Sequence, residues 1–240
     1  MEIKVYNDYK ELSRAAADLI VQRIRTNPRA TICVASGHTP VGVFECLVKD
    51  VKSNALDLSQ CTFVSLDEWI GVDPTDPGSC LAMLKKDFFD RISLRKDQIR
   101  YFDVTAEDLQ AECDAMNNLI ASRGGLDVML VGIGTNGHIG MNEPGSFFSD
   151  YAHISKLAQE TITTGQKYFK KPTMLDKGIT LGLRHFQEAR LPILMANGLS
   201  KAPIIKAVTS SEATELIPAT VVHLVKHSVM LLDKDAAGGA

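Results

Sequence analysis

No run of this sequence stays apolar long enough to cross a membrane; none approaches the roughly 18 residues a spanning helix needs. Positive charge is not in excess either. Lys and Arg total 26 against 29 Asp and Glu, a formal net charge of −3, which argues against the basic footprint of a nucleic-acid-binding surface. Cysteine is sparse and odd in number. Cys33, Cys46, Cys61, Cys80 and Cys113 contain no C-x-x-C pair, so reduced thiols in a cytoplasmic protein are expected rather than a disulfide framework. Internal repeats, low-complexity tracts and linker-like composition shifts are missing. Met1-Glu2-Ile3-Lys4 shows no basic start followed by an apolar stretch, so no secretory leader is expected. What remains is 240 residues, 45% hydrophobic and 23% charged, enough to bury a core without disulfide or metal staples.

Short β-branched runs alternate with longer amphipathic ones. Strands are predicted at Ile3 to Tyr6, Thr31 to Ala35, Thr62 to Leu66, Ile99 to Phe102 and Val128 to Val131. Further strands are predicted at Ile179 to Leu183, Pro192 to Ala196 and Val229 to Leu232. Helices are predicted at Tyr9 to Arg25, Pro40 to Val51, Leu81 to Phe89 and Ala106 to Arg123, and near His185 to Ala189 and Lys201 to Val208. Near-continuous apolar strands between helices mean a mostly parallel sheet covered on both faces. The expectation is one α/β domain over residues 1–240 with a single doubly wound sheet. In such sheets ligands bind outside the carboxyl ends of the strands.

Three loops follow predicted strands. Ser36-Gly37-His38-Thr39-Pro40 combines a turn glycine with a proline suited to the first helical position. It is a ready anion site or an ordinary strand-to-helix turn. Asp67-Glu68-Trp69 puts two adjacent carboxylates beside the only tryptophan, suited to acid–base work or to a solvated acidic loop. The third loop, Gly132 to Gly145, contains G-x-G-x-x-G after a strand, so a dinucleotide fingerprint has to be weighed. That fingerprint needs a helix to begin inside it, yet Gly140, Pro144 and Gly145 follow at once with no 3.6-residue apolar period. The glycines instead suit an irregular loop folded around polar side chains. His138, with Glu143 five residues on, suits an acid–base group and its orienting partner.

Two other constellations carry no site. His223-x-x-x-His227 has helical metal-ligand spacing within strand-like sequence, and in a strand such residues lie roughly 13 Å apart. Ser79-Cys80 lies in no G-x-S-x-G elbow and has no local base.

Taken together, the loops resemble the glucosamine-6-phosphate deaminase family, which includes bacterial galactosamine-6-phosphate isomerases or deaminases. The family's T-G-x-T-P-like loop is here Ser36 to Pro40, and its D-E-Y/W stretch is Asp67-Glu68-Trp69. The most specific stretch, G-I-G-x-(D/N)-G-H-I-x-F-N-E-P-G, is Gly132 to Gly145 with Met141 at the Phe position. A later G-x-x-K-A is Gly198 to Ala202. The resemblance implies the sugar-phosphate isomerase and 6-phosphogluconolactonase fold. It implies an isomerising deaminase, an aldose–ketose type hydrolase releasing ammonia from glucosamine 6-phosphate or galactosamine 6-phosphate. Asp67 is then the carboxylate that moves a proton between C2 and C1. His138 assists ring opening, oriented by Glu143, and Asn136 stands where many members carry Asp. Ser36, Gly37, His38, Thr39 and Lys201 are then the substrate and phosphate ligands. No cofactor or metal is implied, and the expected form is a monomer or small homo-oligomer with neither nucleic acid nor membrane as partner.

Departures bear on the substrate. Against the family's T-R-x-x-N-A-R-F-F this chain has Thr161-Ile162-Thr163-Thr164-Gly165-Gln166-Lys167-Tyr168-Phe169, so Ile162 is expected to replace an arginine that grips the phosphate. His38 replaces a small residue, and Cys80 an aromatic one. Competing readings are a 6-phosphogluconolactonase-like hydrolase, whose D-G-H-T-A this third loop does not match, and a sugar-phosphate-binding regulator without catalysis.

Overall fold

A computed structural model describes residues 1–239; Ala240, the last residue of the domain expected over 1–240, lies outside them. The strands are β1 (Glu2–Tyr6), β2 (Thr31–Val34), β3 (Thr62–Ser65), β4 (Asp67–Trp69), β5 (Ile99–Arg100), β6 (Val128–Val131), β7 (His153–Lys156), β8 (Lys177–Thr180), β9 (Pro192–Ala196) and β10 (Val229–Asp233). The helices are α1 (Tyr9–Thr26), α2 (Val41–Lys52), α3 (Cys80–Asp87), α4 (Leu109–Ser122), α5 (Gln159–Gly165), α6 (Leu183–Glu188) and α7 (Ala202–Ser210).

Local chemistry sets the helix starts. The Asp8 carboxylate accepts from Glu11 N at 2.8 Å to begin α1, and Ser79 Oγ accepts from Ala82 N at 3.0 Å to begin α3. Asp108 accepts from Gln110 N and Ala111 N, both at 3.0 Å, so α4 starts at Leu109 rather than at the expected Ala106. Each cap satisfies N–H groups that have no partner inside the helix.

Seven strands form one sheet in the order β1-β10-β9-β6-β2-β3-β5, and every pairing in it is parallel. Alternate residues feed two cores, as the strand period of two requires. Ile32, Val34, Val128, Leu130, Ile193 and Met195 pack on one face with Leu12, Ile20, Phe44 and Leu47 of α1 and α2. Cys33, Met129, Val131, Leu194 and Ala196 pack on the other with Cys113 and Met116 of α4 and Ile205 of α7. This is the doubly wound arrangement expected. From β2 the chain steps to β3 and β5 on one side and later to β6, β9 and β10 on the other. The order therefore reverses between β2 and β6, where a crevice opens at the strands' carboxyl ends.

A second sheet, three antiparallel strands in the order β4-β8-β7, accompanies the expected one. Asp67–Trp69 is a strand in it rather than a loop, and the strand expected at Ile179 to Leu183 lies at Lys177–Thr180. β7 and α5 were not expected at all. These are short segments of mixed polarity, and β7 buries only Ser155. Their pairing partners are remote in sequence, with Asp67 opposite Thr180 and Thr180 opposite His153. The strand-like sequence around His223 is also corrected: Pro218–Leu224 is a 3-10 helix. Its His223 Nε2 bonds Val208 O at 2.7 Å, and His227 Nε2 bonds Ala189 O at 3.0 Å.

Candidate active site

At the crevice lies a cavity of about 470 Å³, within the range that encloses small ligands. Its first wall is the loop after β2. Gly37 takes a left-handed conformation at φ +91°, and a Cβ there would lie 3.1 Å from the Tyr168 hydroxyl. Tyr9 of α1 pins this loop. Its hydroxyl donates to Thr39 O at 2.9 Å and accepts from Gly42 N at 2.8 Å. No side chain caps α2, so the helix's positive end lies at the cavity wall beside Thr39 and Pro40.

The second wall is the loop after β6, which continues into no helix, as the argument against a nucleotide fingerprint required. Gly134 N donates to His138 O at 2.9 Å, and a Cβ at Gly134 would lie 2.2 Å from the imidazole, so only glycine lets the histidine fold back here. Asn136 ties the knot. Its Oδ1 accepts from His138 N at 3.1 Å, and its Nδ2 donates to Glu143 Oε2 at 2.9 Å. That same Glu143 oxygen lies 3.7 Å from His138 Nδ1, and Thr161 Oγ1 lies 3.1 Å from the same nitrogen. Glu143 Oε1 is buried without a hydrogen-bond partner. Burial holds the His138 pKa below the ordinary imidazole value; Glu143 opposes this and Lys201 adds to it. The ring is therefore neutral at pH 7.

Asp67 and Glu68 point opposite ways because successive strand residues do. The Asp67 side chain lines the cavity. Burial pushes its pKa up to about 7, the Glu68 charge adds to the shift, and a hydrogen bond from the Cys80 thiol opposes it. Glu68 turns away to the start of α3. Its Oε1 accepts from Trp69 N at 2.9 Å and Cys80 N at 2.8 Å, and its Oε2 accepts from Leu81 N at 2.8 Å. Glu68 is thus a structural anchor, and only one of the two adjacent carboxylates is free for chemistry.

Cationic groups complete the cavity. Lys201 follows the turn at Gly198, whose N–H is held by both oxygens of Asp233 at 3.0 Å. Lys201 Nζ donates to Ile133 O at 2.6 Å, and its pKa is lowered, by burial first and then by the Lys167 charge. Two ammonium groups close enough for one to lower the pKa of the other suit a doubly charged anion.

Ser36, Gly37, His38, Thr39, Asp67, His138 and Lys201 therefore share one cavity, while Asn136 and Glu143 stand behind His138 rather than on its surface. One expectation is overturned. Ile162 does not face the cavity; it packs against the apolar cluster of Trp69, Val72, Cys80, Met141, Leu157 and Leu175. The cavity cation from that segment is Lys167, at the second arginine of the nine-residue pattern. Glu160, Thr161 and Tyr168 also line the cavity and were not expected there. Only the register of that pattern pointed to Lys167 and Tyr168, since α5 has too few residues for a periodicity to show.

The chain's likenesses to known proteins follow the same lines. The family of glucosamine-6-phosphate isomerases/6-phosphogluconolactonase matches residues 7–231. A glucosamine-6-phosphate deaminase of Bacillus velezensis is 36% identical over 240 residues, all of both chains. One of Shouchella clausii is 35% identical over 240 residues, 99% of this chain and 96% of the relative. The solved structure of a monomeric glucosamine-6-phosphate deaminase superposes with a TM-score of 0.95 at 31% identity, covering 100% of each chain. A 6-phosphogluconolactonase from Trypanosoma brucei shares the fold, with a TM-score of 0.78 at 21% identity over 98% of this chain and 97% of that one.

Proposed function

The chain belongs to the glucosamine-6-phosphate isomerase/6-phosphogluconolactonase family, and on that premise we propose that it deaminates a 2-amino-2-deoxyhexose 6-phosphate to the ketohexose 6-phosphate and ammonia. The observation that carries this is one cavity holding a carboxyl poised near pH 7, a neutral imidazole and two lysines. Full-length likeness to proteins named glucosamine-6-phosphate deaminase supports glucosamine 6-phosphate as the substrate.

The chemistry follows from the groups. His138 takes the proton of the C1 hydroxyl and returns one to the ring oxygen as the C1–O5 bond breaks, which leaves an open-chain aldehyde. Neutral imidazole suits this relay, because it must accept before it donates. Glu143, with one oxygen toward His138 Nδ1, stabilises the transient imidazolium, and Asn136 holds that carboxylate in place. Asp67 takes the C2 proton while a proton passes from the substrate's own ammonium to the aldehyde oxygen, which gives an enolamine; Asp67 then returns its proton to C1, leaving an iminium at C2. Water adds to the iminium, the C–N bond breaks and ammonia leaves; in that last step the enzyme acts as a hydrolase. The phosphate lies against the Ser36 to Thr39 loop with Lys201 and Lys167, where N–H groups and point charges combine. In this reading the chain is one domain, acts in the cytoplasm as a monomer or small homo-oligomer, and needs no nucleic acid, membrane or cofactor.

The test is ammonia release and ketose formation across glucosamine, galactosamine and mannosamine 6-phosphates with no metal or nucleotide added. Turnover of at least one is expected. Binding without turnover would instead support the regulator reading, and neither binding nor turnover would end the assignment.

A further inference from the structure

Tyr168 is a cavity residue that the mechanism above leaves without a task. It closes the 3-10 helix Gln166–Tyr168 behind α5 and reaches across to the loop after β2. Its ring stacks on His38 with centroids 5.5 Å apart and planes at 23°, and Lys167 Nζ lies 5.0 Å from its centroid. Those contacts fix the ring and leave the hydroxyl at its far end aimed at Gly37, 3.1 Å from where a Cβ would stand. The hydroxyl is also near enough to Asp67 and Cys80 to feel both charges. No protein group among the described residues accepts its proton. Burial, with those charges, pushes the phenol up to about 12, so the hydroxyl is a fixed donor at neutral pH.

The Tyr168 hydroxyl thus sits between the Gly37 loop and the Asp67–Cys80 wall of the cavity, next to the residue assigned as the base.

A hexosamine 6-phosphate bound as proposed has its phosphate on the Gly37 loop and its C1–C2 bond at Asp67. Its middle carbons must then pass the Tyr168 hydroxyl, which lies against the Gly37 loop on the Asp67 side of the cavity. We propose that Tyr168 is a specificity-determining residue whose hydroxyl donates a hydrogen bond to the C3 or C4 hydroxyl of the substrate. This rests on the amino-sugar phosphate reading; with the C4 hydroxyl as its partner, Tyr168 separates glucosamine from galactosamine, which differ only at C4.

The experiment compares wild type with Tyr168→Phe, which keeps the stacked ring and loses only the hydroxyl. Calorimetry measures binding of 2-amino-2-deoxyglucitol 6-phosphate, which cannot isomerise, and of its 3-deoxy and 4-deoxy forms. The expected result is a rise of about 2- to 10-fold in Kd for the parent ligand, the size of one neutral hydrogen bond. For one deoxy ligand the two proteins bind alike, because the partner is already gone. Unchanged binding of the parent, or an equal loss with both deoxy ligands, overturns the proposal. Wild-type turnover of glucosamine and galactosamine 6-phosphates, measured alongside, keeps the two readings apart. If neither turns over but the calorimetric coupling is found, the reaction falls and the Tyr168 contact stands.

Discussion

The two acid–base groups are built in opposite ways. His138 has its partners within its own loop: Asn136 and Glu143 lie within a few residues and are bonded to one another, and Thr161 alone comes from elsewhere. Asp67 has nothing comparable nearby. Its neighbour Glu68 is committed to α3, and its surroundings come from Cys80, Tyr168 and the pairing of β4 with β8. Burial is the leading cause of both pKa shifts, yet it moves them in opposite directions, because it disfavours the anion of one and the cation of the other. The Asp67 carboxyl rises to about 7 and the His138 imidazole falls below its ordinary 6.5. Burial thus brings the carboxyl up to about 7 and keeps the imidazole in its neutral, proton-accepting form.

The harshest way to break that comparison is Asp67→Asn. Loss of a positioned base costs about 10²–10⁴ in rate, and solvent deuterium should cease to enter the sugar at C1 and C2. Exchange at the wild-type rate would remove Asp67 from its role. The same variant reports on stability. A carboxyl raised in the folded state binds more protons than in the unfolded state between about pH 4 and 7, so stability falls as pH rises through that window. Asp67→Asn should therefore melt a few degrees higher than wild type at pH 8, with the gain vanishing by about pH 4. Activity has the reverse sign: kcat/KM of the wild type should climb as pH rises through about 7, where Asp67 ionises.

Next in size is the loop-built centre. His138→Gln should slow the cyclic substrate by about 10²-fold and an analogue held in open-chain form far less. Glu143→Gln should give a milder version of that defect, since it acts through the ring. Equal losses on both substrates would contradict the division of labour. Lys167→Ala should raise KM about 10- to 100-fold with kcat nearly unchanged, as loss of a charged contact made equally in ground and transition states requires. The smallest kinetic effect belongs to Ile162→Arg. Because Ile162 packs in the Trp69 cluster, an arginine there should leave KM within about twofold while lowering stability by about 1–3 kcal/mol through burial of an unpaired polar group. A large fall in KM instead would return position 162 to the phosphate site.

The same contrast separates what was legible in the chain. The seven-stranded sheet is readable because its strands are apolar on both faces and its longer helices carry a 3.6-residue apolar stripe. The strand-end loops are readable because each keeps its own residues close together in sequence, Ser36 to Pro40 in one and Gly134, His138 and Glu143 in the other. Legibility fails at β7, α5 and Lys177–Thr180, where four- to seven-residue pieces carry too few positions for a period to show. It fails again at Ile162, where the motif suggested a site residue and the helix turned that position inward.

By itself the sequence determined a mostly parallel sheet covered by helices on both faces, a site at the carboxyl ends of its strands, and Ser36 to Thr39, Asp67 and His138 among the residues that line it. Local propensity and periodic burial act over distances shorter than one element, so the residues that obey them can be read in place. Only the tertiary structure decided that Glu68 anchors the start of α3 while Asp67 faces the cavity, that Lys167 rather than residue 162 supplies a cation, and that Tyr168 lies against Gly37 and His38. Each depends on which face of a short segment is buried against a partner tens of residues away. Such contacts are set by packing and pairing across the fold, and no window of the sequence contains both sides.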